Sequence, residues 1–531
     1  MTQVTTMSPP PQSHPAQAPV ASAGPAPWMA AVAIVPILAT VYQTLVLTDV
    51  TDDVIRTGIQ AEHYAMIWTN ACWGFAFVYG VFAGIWAMAR VGPRNALVVG
   101  LIWFAVGNLM CGAATDVTTL AIAKLVEGIG KGMVSMLCRS LLYRQFDRMV
   151  IVAIGFYGLC AYATRPTTPL LTSMVNDALS WRWIFWINVP LALLAIPLVR
   201  RCIKPDRPAQ PLPLRIDWVG VTLFAIWAVS LTFTFGWYRK WGGWTSNAFT
   251  VTALLALLLP IPLVAWVGSG FSASEHFRRM FRVRIYVLAM CVRMLLLVQL
   301  LVVLTLMSKY CIALRDYPRL TTGWILAPAT LAMAVSTFLT TRFHVRSLRH
   351  FWLFIGFVGC AACLWWMSSV DNFTSKGGVA LMIACWGLFL GLLPPSFLQD
   401  EVESLDRRDS LYAGALAVVV MFVPLVIIPS ATSTIVSAWT DRALDAQRLN
   451  LQQNRPEVEA SSARVADYYR QRGVGASDLN HMTSTVLGAF AKVESVAHGI
   501  QSGLRFLSLV VGGLGLLVTF LLVRGTAAKA P

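Results

Sequence analysis

Apolar runs of about twenty residues recur from one end of this chain to the other, and no other feature restricts its fold as much. A helix needs roughly twenty apolar residues to cross the core of a bilayer. On that measure, spans are predicted near 28–48, 65–87, 95–115, 118–142, 149–173, 182–200, 217–237, 247–269, 284–308, 320–341, 351–369, 377–399, 411–438 and 503–523. Such a pattern predicts an all-α polytopic membrane protein. Composition agrees: 57% of the residues are hydrophobic and only 12% charged, against about 25% charged in soluble proteins.

The net charge of +16 would suggest nucleic acid in a soluble protein. Here Lys and Arg gather in short connections between spans, where they act as topology signals, so nucleic acid is not an expected partner. One set of connections holds Arg90, Arg94, Arg144, Arg148, Arg200, Arg201, Lys204, Arg207, Arg215, Arg278, Arg279, Arg282, Arg284, Arg342, Arg346, Arg349, Arg407 and Arg408. The alternate short connections hold Arg56, Arg182, Arg239, Lys240, Lys309, Arg315, Arg319 and Lys376. The positive-inside rule makes the richer set cytoplasmic, and an even number of spans puts both termini there too. Residues 1–27 lack Lys and Arg and read as a disordered cytoplasmic tail rather than a cleavable signal.

Ten cysteines give no disulfide framework, and Cys360 and Cys363 fall mid-span without the context of a redox or metal motif. "GIGKGMVS" at 128–135 lacks phosphate-loop spacing. ATP-driven transport is therefore not expected, and no resident cofactor is expected beyond an ion gradient. No hydrolase signature occurs, so the chain is not expected to be an enzyme.

Charge inside the spans carries the chemical signal, because it is costly there and faces a cavity or a partner. Lys124, Glu127 and Lys131 fall at i, i+3 and i+7 on one helical face. They read either as a structural ion pair or as a cavity-facing site for a proton or an anionic substrate. Gly128, Gly130 and Gly132 between them allow close approach. Arg165 precedes Pro166 and is placed to reach Glu127 from an adjacent helix. Arg293, with Gln299 beyond it, reads as snorkelling to the cytoplasmic interface. Residues 439–502 are polar and helix-prone, and are expected to form amphipathic helices on the outer surface. They act as a passive cap or as a docking surface for an envelope partner.

The run "SWRWIFWINVP" at 180–190, a basic connection after span two and fourteen spans together resemble the major facilitator superfamily. The match is closest to its fourteen-helix drug:proton antiporter branch (EmrB/QacA type). The resemblance implies a major facilitator fold: a six-helix bundle at 28–202, a linker with two extra helices at 203–283, and a second bundle at 284–531 that includes the loop 439–502. It implies secondary transport by rocking, proton-coupled efflux of small organic compounds from the inner membrane. It also implies a periplasmic adaptor and an outer-membrane channel as partners. A facilitator, an anion-coupled permease or a non-transporting scaffold are the alternatives.

Several positions depart from the branch pattern. In "AGIWAMARVGPRNAL", Arg90, Gly92 and Arg94 match its cytoplasmic gating loop, while Ala89 stands where an Asp is expected. In span five Arg165 takes the place of a proline. In span one Tyr42 or Gln43 takes the place of a coupling carboxylate; Asp49, Asp52 and Asp53 come later, near the outer mouth. Glu127 is thus the deep carboxylate expected in the first bundle, with Lys124 and Arg165 setting its charge environment. Trp181, Arg182 and Trp183 are expected to anchor helix six at the interface, with Arg182 reaching headgroups or Asp177.

Overall fold

The computed structural model describes residues 27–44, 54–146, 149–204, 216–238, 240, 246–269, 274–343, 348–371, 373–405, 409–453, 455–471 and 476–527. The tail up to residue 26, Asp49, Asp52, Asp53, Arg148, Arg207, Arg215, Arg239, Arg346, Arg407 and Arg408 lie outside the described residues. Every regular element among the described residues is helical.

Among the described residues, eleven helices are long and apolar enough to cross a membrane. Three further segments explain themselves. The first, α1 (Pro27–Thr44), is short. After α2 (Met66–Val91) and α3 (Pro93–Ala113), α4 (Val117–Gln145) carries too much charge to score as apolar. The fifth crossing, α5, is broken: Val150–Gly158 widens to a π-helical turn at Leu159–Ala163, tightens at Arg165–Thr167 and resumes at Thr168–Ala178. Pro166 and Pro169 remove backbone donors and clash with the preceding turn, which accounts for the break. Thr164 and Thr167 donate to the carbonyls of Cys160 and Thr164 at 2.8 and 2.7 Å, side-chain bonds that tie down the backbone around the break.

The remaining crossings are α6 (Trp183–Cys202), α7 (Trp218–Gly236), α8 (Asn247–Gly268), α9 (Arg284–Leu314), α10 (Arg319–Arg342), α11 (Arg349–Met367), α12 (Lys376–Glu403), α13 (Ser410–Gln453) and α14 (Ala476–Ala527). The arrangement is consistent with fourteen crossings. Residues 439–502 differ from the expected surface helices. They form continuations of α13 and α14 with the helix Arg455–Arg470 between them. At 1.5 Å per residue, α13 alone extends about 22 Å past residue 438.

Glycines set how closely the amino-terminal helices pack. A Cβ on Gly80 would overlap the backbone of Ile129, and one on Gly130 the backbone of Phe104. The α2–α4 and α3–α4 pairs are therefore backbone-to-backbone contacts, the membrane mode of association. Gly80→Val should cost about 1–3 kcal/mol as an overpacked site, measured by thermal unfolding in detergent. Gly377→Ala, where a Cβ meets nothing within 4 Å, should leave the transition unmoved.

Asp116 starts α4 by accepting the Thr119 N–H at 2.9 Å, with the Thr119 hydroxyl returning to the Asp116 N–H. Those bonds hold its carboxyl below the usual carboxylate range. A carboxyl lowered in the folded state supports the helix above its unfolded pKa and loses that support as pH falls through the folded value. Hydrogen exchange of the first turn of α4 should quicken below about pH 4 in the native protein. Asp116→Asn should remove that pH dependence while keeping a good cap.

The span-six run is locked rather than peripheral. Trp181 is buried, and a Cβ on Gly58 would overlap its ring. Arg182 lies over the Trp181 ring at 4.5 Å, not on Asp177; Trp183 is the exposed member. Trp181 folds inward because the helix 54–58 covers that face of α6. Asn188 is buried and donates to Asn108 of α3 at 3.0 Å.

Candidate functional site

Two buried charge clusters lie on α4. In the first, Lys124 Nζ reaches Glu127 Oε2 at 3.0 Å and Lys131 Nζ reaches Oε1 at 2.8 Å. All three side chains are no more than 2% exposed. Lys124 lies over Phe185 of α6 at 4.7 Å, and Lys131 over Trp73 of α2 at 5.3 Å and Phe104 of α3 at 5.9 Å. The cluster thus sits inside the amino-terminal helices. Trp73 is its link outward, with its ring 5.5 Å from Phe422 of α13.

Arg165 does not join it. Its side chain is fully buried and turns back along α5, where Nε donates to the Ala161 carbonyl at 2.9 Å. The π-helical turn before Pro166 opens that carbonyl to it, and Glu127 takes both its ion pairs from its own helix.

The second cluster joins the two halves of the molecule. Glu401 of α12 accepts from Arg139 of α4 through Oε1 and from Arg293 of α9 through Oε2. Arg293 also donates to the Tyr162 hydroxyl of α5 at 3.0 Å. Arg139 lies over the rings of Tyr143 and Tyr157 at 5.1 and 5.3 Å, and Arg293 over Phe397 at 5.4 Å. Tyr157 bonds to Tyr42 of α1 at 3.1 Å, so Tyr42, one of the two residues expected in place of the branch's carboxylate, is wired to this network. Arg293 is 0% exposed, which corrects the snorkelling expectation: a buried partner holds it inside. Neighbouring Asp400 is taken by Arg349 at 3.1 Å and His350 at 3.5 Å.

Sequence reasoning missed Arg139, Glu401, Tyr143, Tyr157 and Tyr162. Arg139 lay within predicted span four, two turns beyond Lys131, and was a legible signal. Glu401 fell just beyond the end set for span twelve and so read as part of a connection.

The halves also touch along α5 and α10. A Cβ on Gly323 would overlap the backbone of Leu170 at one end, and one on Gly155 would meet Thr341 at 2.9 Å at the other. This seam is closed at both ends. Beyond the Leu170 end, an open depression of about 620 Å³ is lined by Val54, Arg56, Thr57, Gly58 and Arg319.

The gating-loop residues form a tight turn. Gly92 takes φ 82°, which favours glycine, and Pro93 opens α3 behind it. Arg90 stacks on Trp86 at 4.6 Å and Arg94 donates to the Arg200 carbonyl at 3.5 Å. Neither is paired with a carboxylate among the described residues.

Residues 26–429 match the family model described as Major Facilitator Superfamily. The chain belongs to that superfamily. Among curated superfamily relatives, it is 28% identical over 198 residues to an uncharacterized MFS-type transporter of Mycobacterium tuberculosis, covering 35% of this chain and 27% of the relative. It is 26% identical over 232 residues to the multidrug export protein EmrB of Haemophilus influenzae, covering 43% and 45%. The alignments thus span less than half the length of these relatives. The human organic anion transporter MFSD10 (TETRAN) superposes with a TM-score of 0.54 at 11% identity, over 94% of this chain and 100% of that one. That likeness is one of fold. Superfamily membership and the apolar crossings make the chain a multi-pass membrane protein, and Glu401 joins its amino-terminal helices to its carboxy-terminal ones.

Proposed function

We propose that this chain exports small organic compounds by proton-coupled rocking of its two bundles, from the inner cell membrane, with both termini cytoplasmic. One observation carries the reading: a single buried carboxylate, Glu401, is held by an arginine from each bundle. A proton on Glu401 removes the charge that joins the bundles, so proton binding and bundle separation become linked. The contact lies toward the arginine-rich ends of α4, α9 and α12, which the positive-inside rule places in the cytoplasm. Protonation there opens the cytoplasmic side, and renewed pairing of the two arginines with an anion closes it. Multidrug-exporting relatives support outward transport of organic compounds.

The Lys124–Glu127–Lys131 cluster is a second coupling site in this reading, linked to the opposite bundle through Trp73 and Phe422. Arg165 adds positive charge to the bundle seam. The turn at Arg90, Gly92 and Arg94 is the hinge of the gating loop. The projection formed by α13, Arg455–Arg470 and α14 is the docking surface for a periplasmic adaptor leading to an outer-membrane channel.

The test is transport by purified protein in proteoliposomes under an imposed pH gradient. Accumulation of an organic dye should follow the gradient in the native protein and lose that dependence in Glu401→Gln. Equal gradient-driven accumulation in both would remove Glu401 from the coupling. No response to the gradient in native protein would favour a facilitator.

A further inference from the structure

We propose that Arg139 and Arg293 are the binding subsite for an organic anion, a carboxylate or sulfonate on an aromatic body. In this proposal Glu401 is the resident anion that such a substrate replaces. The proposal rests on the rocking motion about Glu401 and names the class of compound that motion carries.

Charge is the first argument. Arg139, Glu401 and Arg293 together hold a surplus of one positive charge in a buried site. Lys124, Lys131 and Arg165 lie buried in the same bundle core, with Glu127 as the carboxylate beside the two lysines. Uncompensated charge in a dry interior is costly, and one bound monoanion cancels the surplus at Glu401.

Unused hydrogen-bonding capacity is the second. Nε of Arg139, Nε of Arg293 and the Tyr143 hydroxyl are buried without a hydrogen-bond partner. A guanidinium offers five donors in a planar fork, and Glu401 engages one terminal nitrogen of each. The walls are ring faces: Tyr143 and Tyr157 beside Arg139, Phe397 beside Arg293. Those rings suit an aromatic body. At the far mouth the depression between the bundles carries Arg56 and Arg319, so the route out is also lined with positive charge.

This exchange fixes the sense of proton coupling. Ionised Glu401 occupies both arginines; with a proton on one carboxylate oxygen it releases them, and the substrate anion takes its place. Other groups around Glu401 are Tyr143 on α4, Tyr162 on α5 and Tyr286 on α9, while Asp400 on its own helix is held by Arg349 and His350. None of them supplies a competing anion to the arginines. Anion and proton therefore bind together and cross as a neutral pair, down the anion's own gradient. Such a carrier suits the excretion of an acid formed inside the cell. An organic cation would instead compete with the proton for Glu401.

The experiment is calorimetric titration of the full-length protein in detergent, in two buffers of different ionisation enthalpy. The probes are 2-naphthalenesulfonate, its neutral match 2-naphthalenesulfonamide, and the cation tetraphenylphosphonium. The sulfonate should bind at least about tenfold tighter than the sulfonamide. Its affinity should rise toward about tenfold per unit fall in pH, with about one proton taken up. Arg139→Gln should weaken the sulfonate about tenfold or more, and Glu401→Gln should bind it without pH dependence or proton uptake. Equal binding of sulfonate and sulfonamide, binding of tetraphenylphosphonium alone, or proton release on sulfonate binding would overturn the proposal. The native-protein titrations decide the matter even where a variant fails to fold. Should no pH gradient drive transport while the sulfonate still binds with proton uptake, the proton-coupled export reading falls and the anion site stands.

Discussion

Glu401→Ala should lower the stability of the purified protein by about 3–5 kcal/mol, the cost of stranding buried charge without its partner. Two arginines lose their counter-ion in that variant, and both stay where they are because α4 and α9 are packed around them. Thermal unfolding followed by tryptophan fluorescence in detergent reads the loss. Glu401→Gln should lose less, because the amide still accepts a hydrogen bond from one arginine. Replacing Arg139, Arg293 and Glu401 together by methionine should restore most of the stability, since apolar substitutes for a buried ion cluster are often neutral or better. That triple variant should be folded and inactive. Stability and activity part company there, which separates a packing role from a coupling role.

Removal of the second buried carboxylate has the other large effect. Glu127→Ala leaves Lys124 and Lys131 buried with no anion on their helix, again at a cost of about 3–5 kcal/mol. The informative comparison is Lys124→Met, Glu127→Leu and Lys131→Met made together. If the cluster only holds α4 against α2, α3 and α6, the triple variant should keep gradient-driven transport. If Glu127 titrates in the cycle, as proposed, transport should fall by at least about tenfold with the fold intact. Proteoliposome uptake under a pH gradient distinguishes the two.

Most of the fold was legible because lipid demands it. Runs of twenty apolar residues have one soluble alternative at most, and fourteen in series have none. The fourth apolar run, predicted at 118–142, was legible despite its charges, and its chemistry was legible too, since Lys124, Glu127 and Lys131 share one face. What the sequence did not disclose was contact between distant segments. Glu401 and Arg139 are 262 positions apart, and neither neighbourhood shows that the other exists. Arg165 failed in the opposite direction. Spacing placed it near Glu127, but the break around Pro166 turned its side chain onto its own helix. Trp181 read as an interface residue because tryptophans gather there, yet the helix 54–58 buries it. Local pattern therefore specified the elements, while side-chain partners depended on kinks and on which helix lay alongside.

The central claim, that a proton on Glu401 releases one bundle from the other, is tested most directly by an electron–electron distance across the cytoplasmic ends. Spin labels at Arg144 and Ser404 sit beyond the cluster on α4 and just after α12. In native protein in nanodiscs their separation should lengthen on acidification. Glu401→Gln should show the longer distance at every pH. A distance that ignores both pH and the substitution would contradict the account.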